Sequence, residues 1–68
     1  MQPGKIVDID ATQCSYAAQY WLERLGATSG VVCATARDSV LVNVGSPDWP
    51  RLIWAWRVAC KVREAAQF

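Results

Sequence analysis

The chain has no histidine and no C-x-x-C pair. Serine–histidine and cysteine–histidine nucleophiles are thereby excluded. Its three cysteines, Cys14, Cys33 and Cys60, are odd in number and widely spaced. That pattern argues against a disulfide framework and against a structural zinc site, which needs four ligands in close pairs. All three sit where an apolar side chain belongs, so reduced thiols in a core or an interface are expected, with no metal. Gly26, Gly30 and Gly45 are isolated, so no phosphate-cradling loop is present and no cofactor is expected.

The chain also lacks any long apolar run. Leu52 to Trp56 is the longest candidate, far short of the roughly 20 residues that span a bilayer. Acids stand where the apolar segment of a signal peptide would belong, since Met1-Gln2-Pro3-Gly4-Lys5 leads into Ile6-Val7-Asp8. A cytoplasmic location and no membrane partner are expected. Starting at Met1, the chain is expected to act whole, alone or attached to something larger. The net charge is only +1, which singles out no class of partner.

The carboxylates Asp8, Asp10, Glu23, Asp38, Asp48 and Glu64 fall mostly at expected caps, turns and solvent faces. Asp8 and Asp10 could share a strand face, but helix capping accounts for Asp10 by itself. The reading is not an enzyme.

What the chain has is apolar and aromatic surface. Hydrophobic residues make up 53% of 68 residues and include four tryptophans, enough to offset chain entropy and exclude disorder. One compact domain over residues 1–68 is expected. A domain this small buries only about 60% of its unfolded surface, so its own core is marginal.

Lys5 to Ile9 alternates as a short strand. Asp10 offers an N-cap with Gln13 as capping-box partner. Cys14, Ala17, Ala18, Trp21, Leu22 and Leu25 then follow a helical rhythm over about residues 11–25, closed by Gly26. Val31–Ala36 and Ser39–Val44 are β-rich runs around Arg37-Asp38, which predicts a hairpin. From about Asp48 to Phe68 the pattern is taken as a second helix, with Trp54, Ala55, Val58, Ala59, Val62, Ala65 and Ala66 on a core-facing stripe. The expected fold is α+β: a small two-layer α/β sandwich in β-α-β-β-α order, two helices on one face of a two- or three-stranded sheet.

On that helix Ile53, Trp56 and Cys60 fall together opposite the core stripe, interrupting a polar arc. A second apolar face in so short a chain points to a protein interface. Trp56 beside Arg57 matches the residue types concentrated at binding hot spots, and Trp49 at the helix entry extends the patch. The candidate interface is therefore Trp49, Ile53, Trp56, Arg57 and Cys60.

The function expected is a small non-catalytic protein-binding module, an inhibitor or adaptor acting stoichiometrically on a larger protein, or pairing with itself as a homodimer. Few Lys and Asn beside many Ala, Val and Arg fit a GC-rich bacterial or phage source. The alternative is a small nucleic-acid-binding regulator using Trp, Arg and Lys of the last helix. Against it, Arg51, Arg57 and Arg63 point in different directions around that helix and form no basic stripe.

Overall fold

The computed structural model describes residues 1–63. Five strands form one antiparallel sheet: β1 (Ile6–Ile9), β2 (Ser29–Thr35), β3 (Ser39–Asn43), β4 (Leu52–Trp56) and β5 (Cys60–Val62). Their order is β4-β3-β2-β1-β5, a meander whose last strand returns to the first. One helix, α1 (Tyr16–Leu25), joins β1 to β2, and 3-10 turns lie at Ala11–Gln13 and Arg57–Ala59.

The first two-thirds of the chain follow local signals. Val7 and Ile9 of β1 are buried while Ile6 and Asp8 face out, the period of a half-covered strand. Asp10 caps as expected, but it caps a 3-10 turn: its carboxylate accepts from the Thr12 N–H at 3.1 Å, the Thr12 hydroxyl at 2.6 Å and the Gln13 amide at 3.0 Å. The helix itself starts later, where Ser15 takes the N-cap and accepts from the Ala18 N–H. It buries only Ala18 and Leu22, with Cys14 one turn before them, and leaves Trp21 and Leu25 partly exposed. Gly26 closes it in the left-handed conformation, φ +63°, which glycine adopts without a Cβ penalty.

The hairpin of β2 and β3 forms around Arg37-Asp38 as the sequence predicts, with a bulge between Val32 and Ala34 that leaves Cys33 exposed. Gly30 is required by packing. A Cβ there would come within 2.5 Å of the Asn43 backbone oxygen and of a Val42 methyl.

The second helix does not form, and the expected two-helix sandwich is corrected. Leu52-Ile53-Trp54-Ala55-Trp56 is strand β4, paired along its whole length with β3, from Asn43 opposite Leu52 to Ser39 opposite Trp56. A run that is apolar at every position carries no period of its own, so helix and strand fit it equally well. Tertiary pairing decides. Asn43 staples the β3–β4 connection by accepting the Gly45 N–H at 2.9 Å and the Arg51 N–H at 3.0 Å on one side-chain oxygen. That fixes the register with which β4 begins. Beyond it the chain turns through Arg57–Ala59, where the Ala59 carbonyl accepts from the Asp10 N–H at 2.8 Å. Cys60–Val62 then pairs with β1. The part of the expected helix beyond Arg63 lies outside the described residues.

One face of the sheet carries the core. Val7, Val32, Val40 and Val42 are fully buried there, joined by Ile9, Ile53, Ala55, Ala59 and Cys60 against Ala18 and Leu22 of α1. No polar side chain is buried among the described residues. The helix covers this face alone, so every second residue of each strand points to a face that no described element covers.

Candidate binding surface on strand β4

Strand β4 alternates strictly. Ile53 and Ala55 enter the core, while Leu52, Trp54 and Trp56 stand on the bare face, each about half exposed at 54%, 53% and 50%. Across the ladder Trp54 lies opposite Leu41, while Asn43, opposite Leu52, separates the β4 residues from exposed Val31 and Ile6 farther into the sheet. Two tryptophans two residues apart on one strand face give a large, stiff contact area at low entropic cost.

The five residues expected to form the interface are therefore separated. Trp56 is on the bare face, and Trp49, 65% exposed, lies in the loop before β4. Ile53 and Cys60 are on the opposite side, in the core. A helix would bring Ile53, Trp56 and Cys60 together at i, i+3 and i+7; a strand puts Ile53 and Trp56 on opposite faces. Trp54, expected on the core stripe, joins Trp56 instead, as does Leu52. Neither was singled out from the sequence as part of the surface. Alternate positions 52, 54 and 56 are the signal that a strand reading would have used.

Arg57 is half-buried and has a structural task. Its guanidinium donates to the Ala36 carbonyl at 2.6 Å and the Arg37 carbonyl at 3.3 Å, while the Arg57 backbone N–H donates to the Asp38 backbone carbonyl at 2.8 Å. It therefore holds the tip of the β2–β3 hairpin against the end of β4. Beside it an open hollow of about 540 Å³ is lined by Asp38, Trp56, Arg57 and exposed Val58. A second hollow of about 260 Å³ lies along the edge of the sheet between α1 and β4, lined by Ala18 and Trp21 of the helix and by Leu52, Ile53 and Trp54 of the strand. The two β4 tryptophans are thus bordered by concave surface.

Arg51 and Arg63 are engaged locally. Arg51 stacks its guanidinium 4.9 Å from the centre of the Trp49 ring. Arg63 forms an ion pair with Asp8 on the bare face next to β5. That hydrogen-bonded pair holds the Asp8 carboxyl below the usual carboxylate range and raises Arg63. Burial pushes the Cys14 and Cys60 thiols up, which keeps them protonated and unreactive at neutral pH. Among the described residues no three His, Cys, Asp or Glu side chains are grouped to hold a metal. No described helix is long and apolar enough to cross a membrane.

Comparison with known protein families, curated proteins and solved structures finds no match to this chain.

Proposed function

We propose that this chain is a non-catalytic protein-binding module whose contact surface is the outer side of β4. It acts stoichiometrically, as an inhibitor or adaptor of another protein in the cytoplasm. The observation that carries the reading is the exposure of Leu52, Trp54 and Trp56 together on a strand whose other residues are core. Tryptophan is strongly enriched among the residues that dominate binding energy, and a contiguous apolar patch rimmed by polar residues marks an interaction surface. Ser39 and Asn43, opposite Trp56 and Leu52, supply that rim.

Nucleic-acid binding is the weaker reading. Exposed tryptophans on a sheet suit base stacking, but phosphate contact needs cations free to make it. Beside β4, Arg57 is committed to backbone carbonyls and Arg51 to Trp49, and just after β5, at the far edge of the sheet, Arg63 is committed to Asp8. That leaves exposed Lys61 and Arg37 apart from one another rather than in a basic stripe.

The test is capture from a bacterial lysate with the tagged chain and with its Trp54→Asp and Trp56→Asp variants, quantified by mass spectrometry. A protein retained in equimolar amount by the parent and lost from both variants supports the reading. Identical captured sets for all three overturn it. Binding of single-stranded DNA by the parent, falling steeply with salt, would favour the alternative.

A further inference from the structure

The edge of β4 has a property that its exposed side chains alone do not convey. In the β3–β4 ladder the Arg51 carbonyl accepts from Val44 and the Arg57 N–H donates to Asp38. Ladder bonding alternates along an antiparallel strand. Arg51, Ile53, Ala55 and Arg57 therefore direct their peptide groups at β3, and Leu52, Trp54 and Trp56 direct theirs away from it. No described strand lies on that side, because β4 ends the sheet. The residues with exposed side chains are the same ones with outward N–H and C=O groups.

The two edges of the sheet differ in protection. Strand β5 carries Lys61 and runs into Arg63, the kind of charge that blocks edge-to-edge pairing. Strand β4 has no charge, no proline and no bulge between Leu52 and Trp56. Its sequence is also close to symmetric about Trp54: large apolar residues at 52, 54 and 56, small or branched core residues at 53 and 55. An unpaired strand edge takes another strand, and a strand symmetric about its centre suits an isologous two-fold contact.

We propose that β4 pairs antiparallel with β4 of a second copy, centred on Trp54, to make one continuous ten-stranded sheet. This rests on the reading of the β4 surface as a protein-binding site and names its occupant. In this register Trp54 faces its own equivalent, and Leu52 faces Trp56 of the second copy. Each such pair exchanges two backbone hydrogen bonds, and it is the only antiparallel register that matches all three outward residues. It places Leu52, Trp54 and Trp56 of both copies side by side on one face. Arg51 falls opposite Arg57 of the second copy, but stacking on Trp49 and bonding to the hairpin carbonyls draw those guanidinium groups aside. Three exposed side chains per copy make a contact at the small end of specific interfaces, so the dimer is weak and concentration-dependent.

Sedimentation velocity on the full chain over a wide concentration range tests this, alongside Leu52→Lys and Trp54→Pro. The proline removes an outward N–H and no bond to β3, and the lysine places a charge on the edge without touching the backbone. The expected result is a monomer–dimer equilibrium in the micromolar range, weakened at least tenfold by each variant, with the circular dichroism spectrum kept.

Crosslinking with a short bismaleimide in a Cys33→Ser background reads the register. Trp54→Cys should crosslink to itself, because paired Cα atoms lie about 5.5 Å apart. Leu52→Cys alone should not, being offset from its own equivalent by about 13 Å along the strand, whereas Leu52→Cys mixed with Trp56→Cys should. A chain that stays monomeric throughout, a dimer indifferent to both edge variants, or equal crosslinking at positions 52 and 54 overturns the proposal. If the chain is monomeric yet captures a protein that Trp54→Asp loses, this inference falls and the protein-binding reading stands. If the dimer forms through β4 and no other protein is captured, the inference stands and the inhibitor or adaptor role falls.

Discussion

Trp54 stands opposite Leu41 on the bare face of the sheet, while its neighbour Ala55 stands opposite Val40 in the core. One step along β4 separates a residue that is 1% exposed from one that is 53% exposed. Substitutions along the strand should therefore alternate in effect. Trp54→Asp and Trp56→Asp should both remain folded, with Tm within a few degrees of the parent. Ile53→Asp should unfold the domain, because an unpaired charge in the core costs more than a domain this small can spare. Circular dichroism melts of the three variants check this. Unfolding by Trp54→Asp and not by Ile53→Asp would restore the helical reading of this segment.

The thiols should divide by environment. Cys33 is exposed, whereas Cys14 and Cys60 are buried. In native protein one thiol should react quickly with Ellman's reagent, and the other two only on denaturation. Because burial raises the folded pKa of Cys14 and Cys60 above the ordinary thiol value of 9.0, their contribution to stability is complete below that value. It is lost as pH rises from there through the higher folded pKa values. Urea midpoints measured from pH 7 to 11 should fall above about pH 9, and less steeply in Cys14→Ala.

Acid should act through the opposite sign. Asp8, bonded to Arg63, and Asp10, bonded to Gln13 and Thr12, both have folded pKa values below 3.8. Each adds stability above that value and loses it as pH falls through the folded pKa. Asp8→Asn with Asp10→Asn should flatten the decline of the urea midpoint below pH 4. The Asp8 part should shrink in high salt, since the ion pair with Arg63 is exposed.

Gly30→Ala should destabilise by about 1–3 kcal/mol, the usual cost of forcing an atom into a packed site. The obstacle is the backbone oxygen of Asn43, which cannot swing aside. Chemical denaturation at neutral pH measures it, and an unchanged midpoint would mean that β2 and β3 are less closely apposed than described.

The Asn43 staple should be worth about 1–2 kcal/mol, as two part-buried hydrogen bonds depend on one oxygen. Asn43→Ala should lower the urea midpoint and speed amide exchange in β4 more than in β1, read by hydrogen exchange.

Where neighbouring residues alone set the backbone, the sequence determined the outcome. Alternation in Ile6–Ile9, the β-branched runs of the β2–β3 hairpin, the helical rhythm up to Leu25 and the stop at Gly26 are local preferences. They survive in the structure, with the helix start displaced from Asp10 to Ser15 because Asp10 closes its own tight turn first. The composition also marked the Trp-rich segment as carrying more apolar surface than one core can take.

Only the tertiary structure decided what that segment is. Leu52 to Trp56 is apolar throughout, so its period, and with it the set of residues that share a face, depends on whether β3 is there to pair with it. The free edge of β3 supplies the partner, and the Asn43 side chain sets the register. A period of two then puts Trp54 beside Trp56 on the bare face and sends Ile53 inward, where a period of 3.6 would have done the reverse. Arg57 shows the same dependence: it reads as a hot-spot cation, but the hairpin tip that claims its guanidinium is 21 residues away in the chain. Hydrogen-bond partners at that separation leave no local trace, because the chain between them is free to place them together or apart until the sheet assembles.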